Sequence, residues 1–325
     1  MVASNGNQVK MSCKKKIFTC IFALALAFFM LLVHFASNII CLLNPKGMSV
    51  FNRNNEGFLK VPDLDCSKNA PFLVILVTSR LGETEARMAI RNTWGKKRVI
   101  ADKRVVTYFL LGNNSRPYDQ IGITTEHVLY KDIIQKDFMD TYHNLTLKTL
   151  MGLEWIHKFC PQSTFVMKTD SDMFVNPYYL TELLLKRNST TGLFTGLLMK
   201  HSFPVRNPNS KWYVSKEEYP GIIYPTFASG TGYVLSTDVA RLVYVVSDRV
   251  PFLKVEDVFV GMCLAELKIQ PEKLPSESTF FGGHVPFSPC RYKKIITSHF
   301  ITPTQNLMYW DSMEKTMDGE CPEVQ

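Results

Sequence analysis

Apolar positions along the chain follow two spacings, which predict alternating strands and helices. Phe72 to Val77 is continuously apolar and ends at Thr78 and Ser79, as expected for a strand covered on both faces. Glu83 to Arg98 has helical spacing, and Val105 to Leu111 predicts a second strand. The order of strand, helix and strand indicates an α/β domain.

The same alternation continues in the middle of the chain. Thr146 to Phe159 has apolar residues at helical spacing, and Thr164 to Met167 predicts a third strand. Asn176 and Pro177 predict the start of another helix, because Asn is a favoured N-cap and Pro a favoured first helical residue. We therefore expect one α/β domain with a largely parallel sheet, helices on both faces and a loop-rich half.

The N-terminal region has the pattern of a membrane anchor. Ile17 to Phe35 contains no Asp, Glu, Lys or Arg, and about 20 such residues cross a bilayer as a helix. Lys14 to Lys16 precede this run, and positive charge tends to stay on the cytoplasmic side. A cleaved signal peptide is the alternative, but the apolar run is long and no small-x-small site follows it.

This orientation predicts a single-pass type II membrane protein with a lumenal domain. The predicted segments are a cytoplasmic tail at 1–16, a transmembrane and membrane-proximal segment at 17–43, an Asn-rich stem at 44–70 and a lumenal domain at 71–325.

Lumenal exposure gives meaning to the glycosylation sequons and the cysteines. Asn113, Asn144 and Asn188 each begin an acceptor sequon. Five cysteines would lie in an oxidising lumen, where disulfides persist, and an odd number leaves at least one unpaired. They are Cys66, Cys160, Cys263, Cys290 and Cys321. We predict one disulfide between Cys263 and Cys290 and a second between Cys66 and Cys160.

Composition limits the class of partner. With 46% hydrophobic residues the chain can bury a large core. The formal net charge is +8, but Lys and Arg are scattered and not striped with aromatic residues. We therefore expect no nucleic-acid partner. A basic lumenal domain fits an anionic small substrate, and a merely solvated basic surface is the simpler alternative.

Two aspartates at the end of the third predicted strand are candidate metal ligands. Asp170 and Asp172 follow the apolar run Phe165 to Met167, and ligands of open α/β sheets bind at that strand end. Two carboxylates suit Mg²⁺ or Mn²⁺. A D-x-D pattern alone is common and often only forms an Asx turn. The strand and the secretory features together favour a metal site.

Adjacent acids later in the chain are candidates for acid–base chemistry. Glu256 and Asp257 begin an apolar helical stretch. Either could be the general base that deprotonates a hydroxyl group. The alternative is structural, because the helix dipole favours negative charge in the first turn.

Two arginines and one histidine complete the candidate residues. Arg87 and Arg91 are spaced to share a helix face, from which they would contact phosphate or pair with acidic side chains. The imidazole of His299 would complete a metal shell, although a lone histidine is more often structural. The sequence has no P-loop and no G-x-G-x-x-G or G-x-S-x-G motif.

Four ordered motifs together resemble a known family. They are Arg87 with Ile90-Arg91 and Thr93-Trp94, Lys168 to Asp172, Tyr224-Pro225 with Ser229 to Val234, and Glu256 to Gly261. In this order they are similar to the β-1,3-glycosyltransferase family (glycosyltransferase family 31), from about Pro71 to Trp310. The Lys211-Trp212 segment most resembles its β-1,3-galactosyltransferase branch.

The resemblance implies a GT-A fold, UDP-galactose as donor, Mn²⁺ as cofactor and inversion at the anomeric carbon. It places Asp170 and Asp172 on the metal-binding pattern, His299 near a late metal-coordinating histidine, and Asp257 on the general base. It further implies a Golgi enzyme acting on the 3-hydroxyl of terminal GlcNAc in glycoprotein and glycolipid glycans.

Other readings of the chain stay open at this point. The same fold transfers N-acetylglucosamine or N-acetylgalactosamine in some relatives, and a few pocket residues decide the donor. A non-catalytic lumenal sugar-binding protein and an adhesion protein are alternatives from other classes. Both leave the ordered acids unexplained.

Overall fold

The structure is a computed structural model of the chain, and it describes residues 57–114, 116–274, 279–317, 319 and 321. The predicted tail at 1–16 and anchor at 17–43 lie outside the described residues. Within the described ranges, the helices are all too short or too polar to span a bilayer.

Ten strands and eight α-helices can be followed through these ranges. The strands are β1 (Phe58–Lys60), β2 (Leu73–Thr78), β3 (Arg98–Ile100), β4 (Lys103–Asn113), β5 (Ile133–Met139), β6 (Phe165–Asp170), β7 (Met173–Val175), β8 (Phe194–Met199), β9 (Phe227–Ser236) and β10 (Thr297–His299). The helices are α1 (Thr84–Asn92), α2 (Pro117–Tyr130), α3 (Leu145–Phe159), α4 (Pro177–Leu185), α5 (Thr237–Val246), α6 (Glu256–Glu266), α7 (Pro289–Lys293) and α8 (Pro303–Lys315).

The main sheet of the described residues is mixed. Its order is β1-β5-β4-β2-β6-β9-β8, and β3 pairs with β4. The four central strands β5, β4, β2 and β6 run parallel, as predicted. β9 is antiparallel to both β6 and β8. A loop without a crossover helix joins β8 to β9, which permits their antiparallel pairing. The predicted largely parallel sheet therefore holds only for its centre.

The continuous apolar run of β2 is explained by packing on both faces of the sheet. All six residues of β2 are buried. Val74 and Leu76 belong to one core cluster with Trp155 of α3. Ile75 belongs to the other cluster with Trp94, which follows α1. The expectation of helices on both faces is confirmed.

The first predicted helix is shorter than expected. It ends at Asn92, and Arg98 lies in β3 instead. Gly95 donates its N–H to the carbonyl of Ile90 at 2.9 Å, an approach at which a Cβ would collide with that residue. The chain then enters the β3–β4 hairpin through Ala101 and Asp102, both at positive φ.

Part of the range assigned to the stem belongs to the sheet. β1 lies within 44–70 and pairs with β5. Phe58 of β1 is buried against Phe159 at a ring-centroid distance of 5.7 Å. A disulfide joins Cys66 to Cys160, which confirms that predicted pair. The folded part of the described chain therefore begins before Pro71.

The second predicted disulfide is wrong. Cys290 pairs with Cys321, and Cys263 is the free cysteine of the described residues. Cys263 is fully buried in the core cluster on the α3 face of the sheet. Cys290 lies in α7, whose Tyr292 packs in the cluster on the other face. Burial raises the pKa of the Cys263 thiol to about 12, which makes it chemically inert.

Candidate active site

β6 brings Asp170 to the carboxyl end of the parallel strands, where its carboxylate is held from two sides. Asp170 lies opposite Thr78, the last residue of β2. Its Oδ1 accepts hydrogen bonds from Thr78 Oγ1 at 2.5 Å and from Lys168 Nζ at 2.8 Å. Asp170 is therefore anchored to the neighbouring strand β2 through Thr78 and to its own strand through Lys168, and one of its oxygens is committed to protein contacts.

Asp172 and His299 meet through a small two-stranded sheet. β7 begins directly after Asp172 and pairs with β10, where His299 lies opposite Met173. Asp172 Oδ2 and His299 Nε2 are 3.2 Å apart. His299 Nδ1 lies 3.1 Å from the carbonyl oxygen of Gly282, which fixes the ring orientation when Nδ1 carries the proton. The structure thus brings together two predicted metal ligands that are 127 residues apart in sequence.

The electrostatics of this pair favour ionised Asp172. Burial raises the pKa of Asp172, but His299 outweighs it and holds the pKa below its ordinary value. Burial lowers the pKa of His299, and the Asp172 carboxylate outweighs it, so that pKa is raised. The Asp172 side chain is 56% exposed. A carboxylate and an imidazole are donors that suit Mn²⁺, so the residues present fit this ion.

Of the three predicted metal ligands, Asp172 and His299 are the two in direct contact. Across the described residues there is no group of three or more His, Cys, Asp or Glu side chains arranged to hold a metal. Asp170, the third predicted ligand, directs Oδ1 to Thr78 and Lys168.

Phe300 is a strained residue beside this pair. Its φ is +59°, a left-handed conformation that is uncommon for a bulky residue. Its ring stacks on His299 at a centroid distance of 3.8 Å and is largely exposed. Strain of this kind concentrates at functional sites.

The two acids at the start of α6 point in different directions, as their adjacency predicts. Asp257 accepts hydrogen bonds from Gly230 N–H at 3.0 Å and from Val258 N–H at 2.9 Å. Glu256 is buried, and its Oε1 accepts the hydroxyl of Tyr233 at 2.6 Å. Glu256 therefore belongs to the interior, whereas Asp257 is half-buried.

The surroundings of Asp257 suit a general base. Burial, and then the negative charge of Glu256, raise the pKa of Asp257 to about 6. The N–H of Gly230 and the charge of Lys168 act in the opposite direction. A carboxylate with this pKa is ionised near neutral pH and is a stronger proton acceptor than an ordinary aspartate.

Lys168 joins the two acidic groups, although the sequence did not single it out as a site residue. It is only 2% exposed. Its Nζ donates to Asp170 Oδ1 at 2.8 Å and to the carbonyl of Gly230 at 2.6 Å, and lies 3.4 Å from Glu256 Oε2. Burial lowers the pKa of Lys168, but the two carboxylates outweigh it and raise the pKa. In the sequence, the indication that Lys168 belongs to the site was its position two residues before Asp170.

Arg87 is bound within the fold. It is fully buried and forms a bidentate pair with Glu126, at 2.7 and 2.8 Å. It also donates to the carbonyls of Arg80 and Leu81, which fixes the loop after β2.

Arg91 is bound in the same cluster. It forms a bidentate pair with Asp132, at 2.8 and 2.9 Å, and lies 2.7 Å from Glu126. Its guanidinium carbon lies over the rings of Phe109 and Tyr130. The geometry favours the acid-pairing alternative for both arginines, and a nucleotide contact stays a prediction.

Exposed aromatic rings lie on the Asp257 side of the site. Tyr142 and Trp212 are 42% and 51% exposed. Lys211 Nζ lies 5.4 Å from the Tyr142 ring and 4.6 Å from the Trp212 ring. Burial raises the pKa of Tyr142, a hydrogen bond with Trp212 lowers it, and the charges of Asp257 and Asp170 raise it further.

A cavity of about 440 Å³ lies elsewhere, beside the C-terminal half of α6. Tyr219, Arg249, Met262 and Glu266 line it together with four further residues, and Asp172, Asp257 and His299 do not. The acidic and imidazole groups, and not this cavity, therefore locate the candidate site.

The three sequon asparagines have different surroundings. Asn188 is exposed after α4. Asn113 Nδ2 donates to Asp137 at 2.8 Å, and Asn144 Nδ2 donates to the carbonyl of Met139 at 2.8 Å. Glycosylation at each of them stays a prediction.

Comparison with known proteins agrees with the motifs. A family model described as galactosyltransferase matches residues 85–275, which include Arg87, Arg91, Asp170, Asp172 and Asp257 but not His299. Beta-1,3-galactosyltransferase 5 of Mus musculus is 54% identical over 275 residues, or 85% of this chain and 89% of that protein. The Homo sapiens protein of the same name is 54% identical over 283 residues, or 87% and 91%.

More distant proteins also match. Beta-1,3-galactosyltransferase 2 of Homo sapiens is 42% identical over 86% of this chain and 67% of its own length. A solved glycosyltransferase involved in glycosylation of the major capsid of PBCV-1 has a TM-score of 0.40 at 13% identity, over 74% of this chain and 100% of that chain. Similarity at this last level supports no conclusion about the reaction.

The family match spans more than half of the chain, and the relatives at 54% identity are covered over almost their whole length. This chain is therefore a member of the galactosyltransferase family of enzymes.

Proposed function

We propose that this protein is an inverting β-1,3-galactosyltransferase that moves galactose from UDP-galactose to the 3-hydroxyl of terminal GlcNAc. The proposal is supported by the names of the relatives at 54% identity. The observation that carries it is Asp257, a half-buried residue with a pKa raised to about 6, which is hydrogen-bonded to β9 beside the strand that ends at Asp170.

The reaction is a single displacement at the anomeric carbon. Asp257 accepts the proton of the acceptor hydroxyl, and the acceptor oxygen forms a bond to C1 of galactose. The bond from C1 to the β-phosphate oxygen breaks, and its electron pair leaves with UDP. Attack from the face opposite the leaving group inverts the configuration. No covalent enzyme intermediate is needed, so no nucleophilic side chain has to be found.

Asp172 and His299 would hold the cofactor. Mn²⁺, when bound there, supplies Lewis-acid neutralisation of the charge that develops on the diphosphate. The protein contributes a carboxylate and an imidazole, and Asp170 supports the same strand end through Thr78 and Lys168. Phosphate oxygens and water are suitable further ligands for this hard cation.

Tyr142 and Trp212 are suited to the acceptor sugar. Sugars present apolar C–H faces that pack against aromatic rings, and both rings are exposed near Asp257. Their position would place the acceptor between the base and the loop that joins β8 to β9.

The proposal includes a GT-A-type fold and a location in the Golgi membrane. The parallel centre of the sheet ends at Asp170, as a nucleotide-sugar site at a strand end requires. Two disulfides fit an oxidising compartment, and the charge-free run Ile17 to Phe35 fits an anchor that leaves residues from about 44 onward in the lumen.

The decisive assay incubates the full-length protein with Mn²⁺, a GlcNAc-terminated acceptor and, separately, UDP-galactose, UDP-N-acetylglucosamine or UDP-N-acetylgalactosamine. We expect transfer from UDP-galactose, with a β-1,3 linkage found by glycosidase digestion and NMR. Transfer from another donor would replace the proposed substrate. Binding of glycan without transfer from any donor would favour a sugar-binding protein.

Asp257→Asn and Glu256→Gln form a matched pair for the base. Asp257→Asn should lower kcat by roughly 10²–10⁴-fold, as loss of a general base does. UDP binding should change little. Glu256→Gln should be milder in rate and should cost stability, because Glu256 is buried against Tyr233 and Lys168. The base assignment fails if Glu256→Gln is the more damaging change.

A further inference from the structure

Lys168 Nζ is surrounded by more acceptors than a single ion pair would supply. Its ammonium group has three donors, and three acceptors surround it: Asp170 Oδ1, the Gly230 carbonyl and, more distantly, Glu256 Oε2. These acceptors come from the strand end that bears the candidate metal ligands, from β9 and from α6. One buried cation thus joins the three elements of the site.

Gly230 links this cation to the base. Its carbonyl accepts from Lys168 Nζ at 2.6 Å, and its N–H donates to Asp257 Oδ2 at 3.0 Å. A Cβ at Gly230 would lie 3.3 Å from Glu256 Oε2 and 3.5 Å from Asp257 Oδ2, so a side chain there would crowd both acids. The two contacts involve the two peptide groups that flank the Gly230 Cα, so Lys168 restrains the residue whose N–H helps to orient the Asp257 carboxylate.

Glu256 forms the second link. It is held between the hydroxyl of Tyr233 at 2.6 Å and Nζ of Lys168 at 3.4 Å. Because Glu256 is the first residue of α6, this clamp fixes the helix turn that carries Asp257.

We propose that Lys168 is a positioning residue of the transfer reaction, which orients Asp257 through Gly230 and Glu256 relative to the metal-side residue Asp170. The inference rests on the proposed function, in which Asp257 is the base. Lys168 touches neither substrate in this role and acts only through the groups it holds.

Apart from its hydrogen bonds, Lys168 affects Asp257 through its positive charge, which lowers the pKa of that carboxyl group. The titratable groups around Asp257 are Glu256 on its own helix, Lys168 on β6, Tyr233 on β9, and Tyr142 and Tyr224 on the neighbouring loops. The tyrosines are neutral at physiological pH, so Lys168 is the cation that opposes the charge of Glu256. Removing it should raise the pKa of Asp257 by about one unit.

The test measures kcat, KM and the pH dependence of kcat/KM for full-length wild type, Lys168→Met and Lys168→Arg. Lys168→Met should lower kcat by at least roughly tenfold and move the acid limb of the profile up by about one pH unit. The dissociation constant for UDP, measured by calorimetry, should stay within roughly threefold of the wild-type value, because Lys168 does not contact the nucleotide in this role. Lys168→Arg keeps the charge and loses the three contacts, so kcat should fall while the acid limb stays at its wild-type pH.

Lys148 offers a matched control. It is also 2% exposed and pairs with Asp140 at 2.6 Å and with the carbonyl of Ser79 at 2.6 Å. Lys148→Met should lower the melting temperature and leave the acid limb unchanged. A shift of the limb in Lys148→Met as large as in Lys168→Met would overturn the proposal, because loss of any buried lysine would then suffice.

Other results would separate failure of the positioning role from failure of the proposed function. Wild-type kcat and profile in folded Lys168→Met would sink the positioning role and leave the proposed function intact. Absence of transfer by the wild type would sink the proposed function itself. If Lys168→Met fails to fold, Lys168→Arg decides: wild-type kcat there refutes the role, and reduced kcat with an unmoved acid limb supports it.

Discussion

Two clusters of charged side chains in the interior of this enzyme differ in their balance of positive and negative charge. Between α1 and α2, two arginines face two carboxylates, Glu126 and Asp132, so the charges balance. Around Lys168, one cation faces Asp170 and Glu256, and Asp257 lies beside them. The first group, the arginine cluster, is neutral and closed to solvent. The second, the lysine cluster, has an excess of negative charge and includes the half-buried Asp257.

The difference shows how a structural charge motif is told from a functional one. A balanced, fully hydrogen-bonded cluster has no capacity left for a ligand or a proton, and its removal leaves an unpaired buried charge. An unbalanced cluster raises the pKa of one member, here Asp257 to about 6, and prepares it to accept a proton. Substitutions in the two clusters and at the neighbouring aromatic side chains should therefore differ in their effects on stability and on turnover.

Arg87→Met tests the balanced cluster. It leaves Glu126 buried without its bidentate partner, so we expect the free energy of unfolding to fall by about 3–5 kcal/mol in urea titrations. The KM for UDP-galactose of the folded variant should not change. A large rise in that KM with unchanged stability would instead assign Arg87 to the nucleotide.

Asp172→Asn tests the open metal-side pair. The change keeps the shape and removes the charge, so kcat should fall by roughly 10²–10³-fold at saturating donor and Mn²⁺. Stability should hardly change, because the Asp172 side chain is 56% exposed. Asp311→Asn is the control, since Asp311 is 62% exposed and pairs only with Lys315 on the surface helix α8. Normal turnover of Asp172→Asn without added metal contradicts the assignment.

The raised pKa of Asp257 predicts a cost in stability. The folded-state pKa of about 6 lies above the ordinary value of 3.8, so ionisation favours the unfolded state. The wild type should therefore lose stability as pH rises through the window from about 4 to 6. Asp257→Asn should be more stable than wild type by about 3 kcal/mol at pH 7.5, and the difference should vanish below pH 4. Urea unfolding of both proteins at pH 7.5 and below pH 4 measures this difference. Equal stabilities at pH 7.5 would show that folding does not raise the pKa of Asp257.

Trp212→Ala tests the acceptor side and should have the smallest effect. Loss of one exposed stacking ring is worth about 1 kcal/mol, or a several-fold rise in the KM for the acceptor. The KM for UDP-galactose should stay constant. Tyr118→Ala is the control, because Tyr118 on α2 is 87% exposed and lies outside the candidate site. An unchanged acceptor KM for Trp212→Ala would remove Trp212 from the acceptor site.

Local patterns predicted much of the central fold. The run Phe72 to Val77 corresponds to β2, and Thr146 to Phe159 corresponds to α3. Asn176 caps α4 by accepting the N–H of Tyr179, as its position before Pro177 predicted. These elements were accessible because strand alternation, helical spacing and capping depend on residues that are close in sequence.

Some features were missed because their cause lies far along the chain. β1 is a strand only because β5 is available to pair with it. The position of Arg98 has a local cause instead, because the β3–β4 hairpin that begins there closes within a few residues. The pairing of Cys290 with Cys321, and not with Cys263, depends on which face of the sheet each cysteine occupies.

The family, the order of the motifs and the candidate acids could be recognised from the amino-acid sequence, because they lie in short segments whose residue types can be read directly. The role of each charged side chain became clear from the three-dimensional fold. The fold paired Arg87 and Arg91 with Glu126 and Asp132, brought His299 to Asp172, and placed Lys168 between Asp170 and Glu256. The physical reason is that burial and partners set the energy of a charge, and these partners lie between 2 and 127 residues away along the chain.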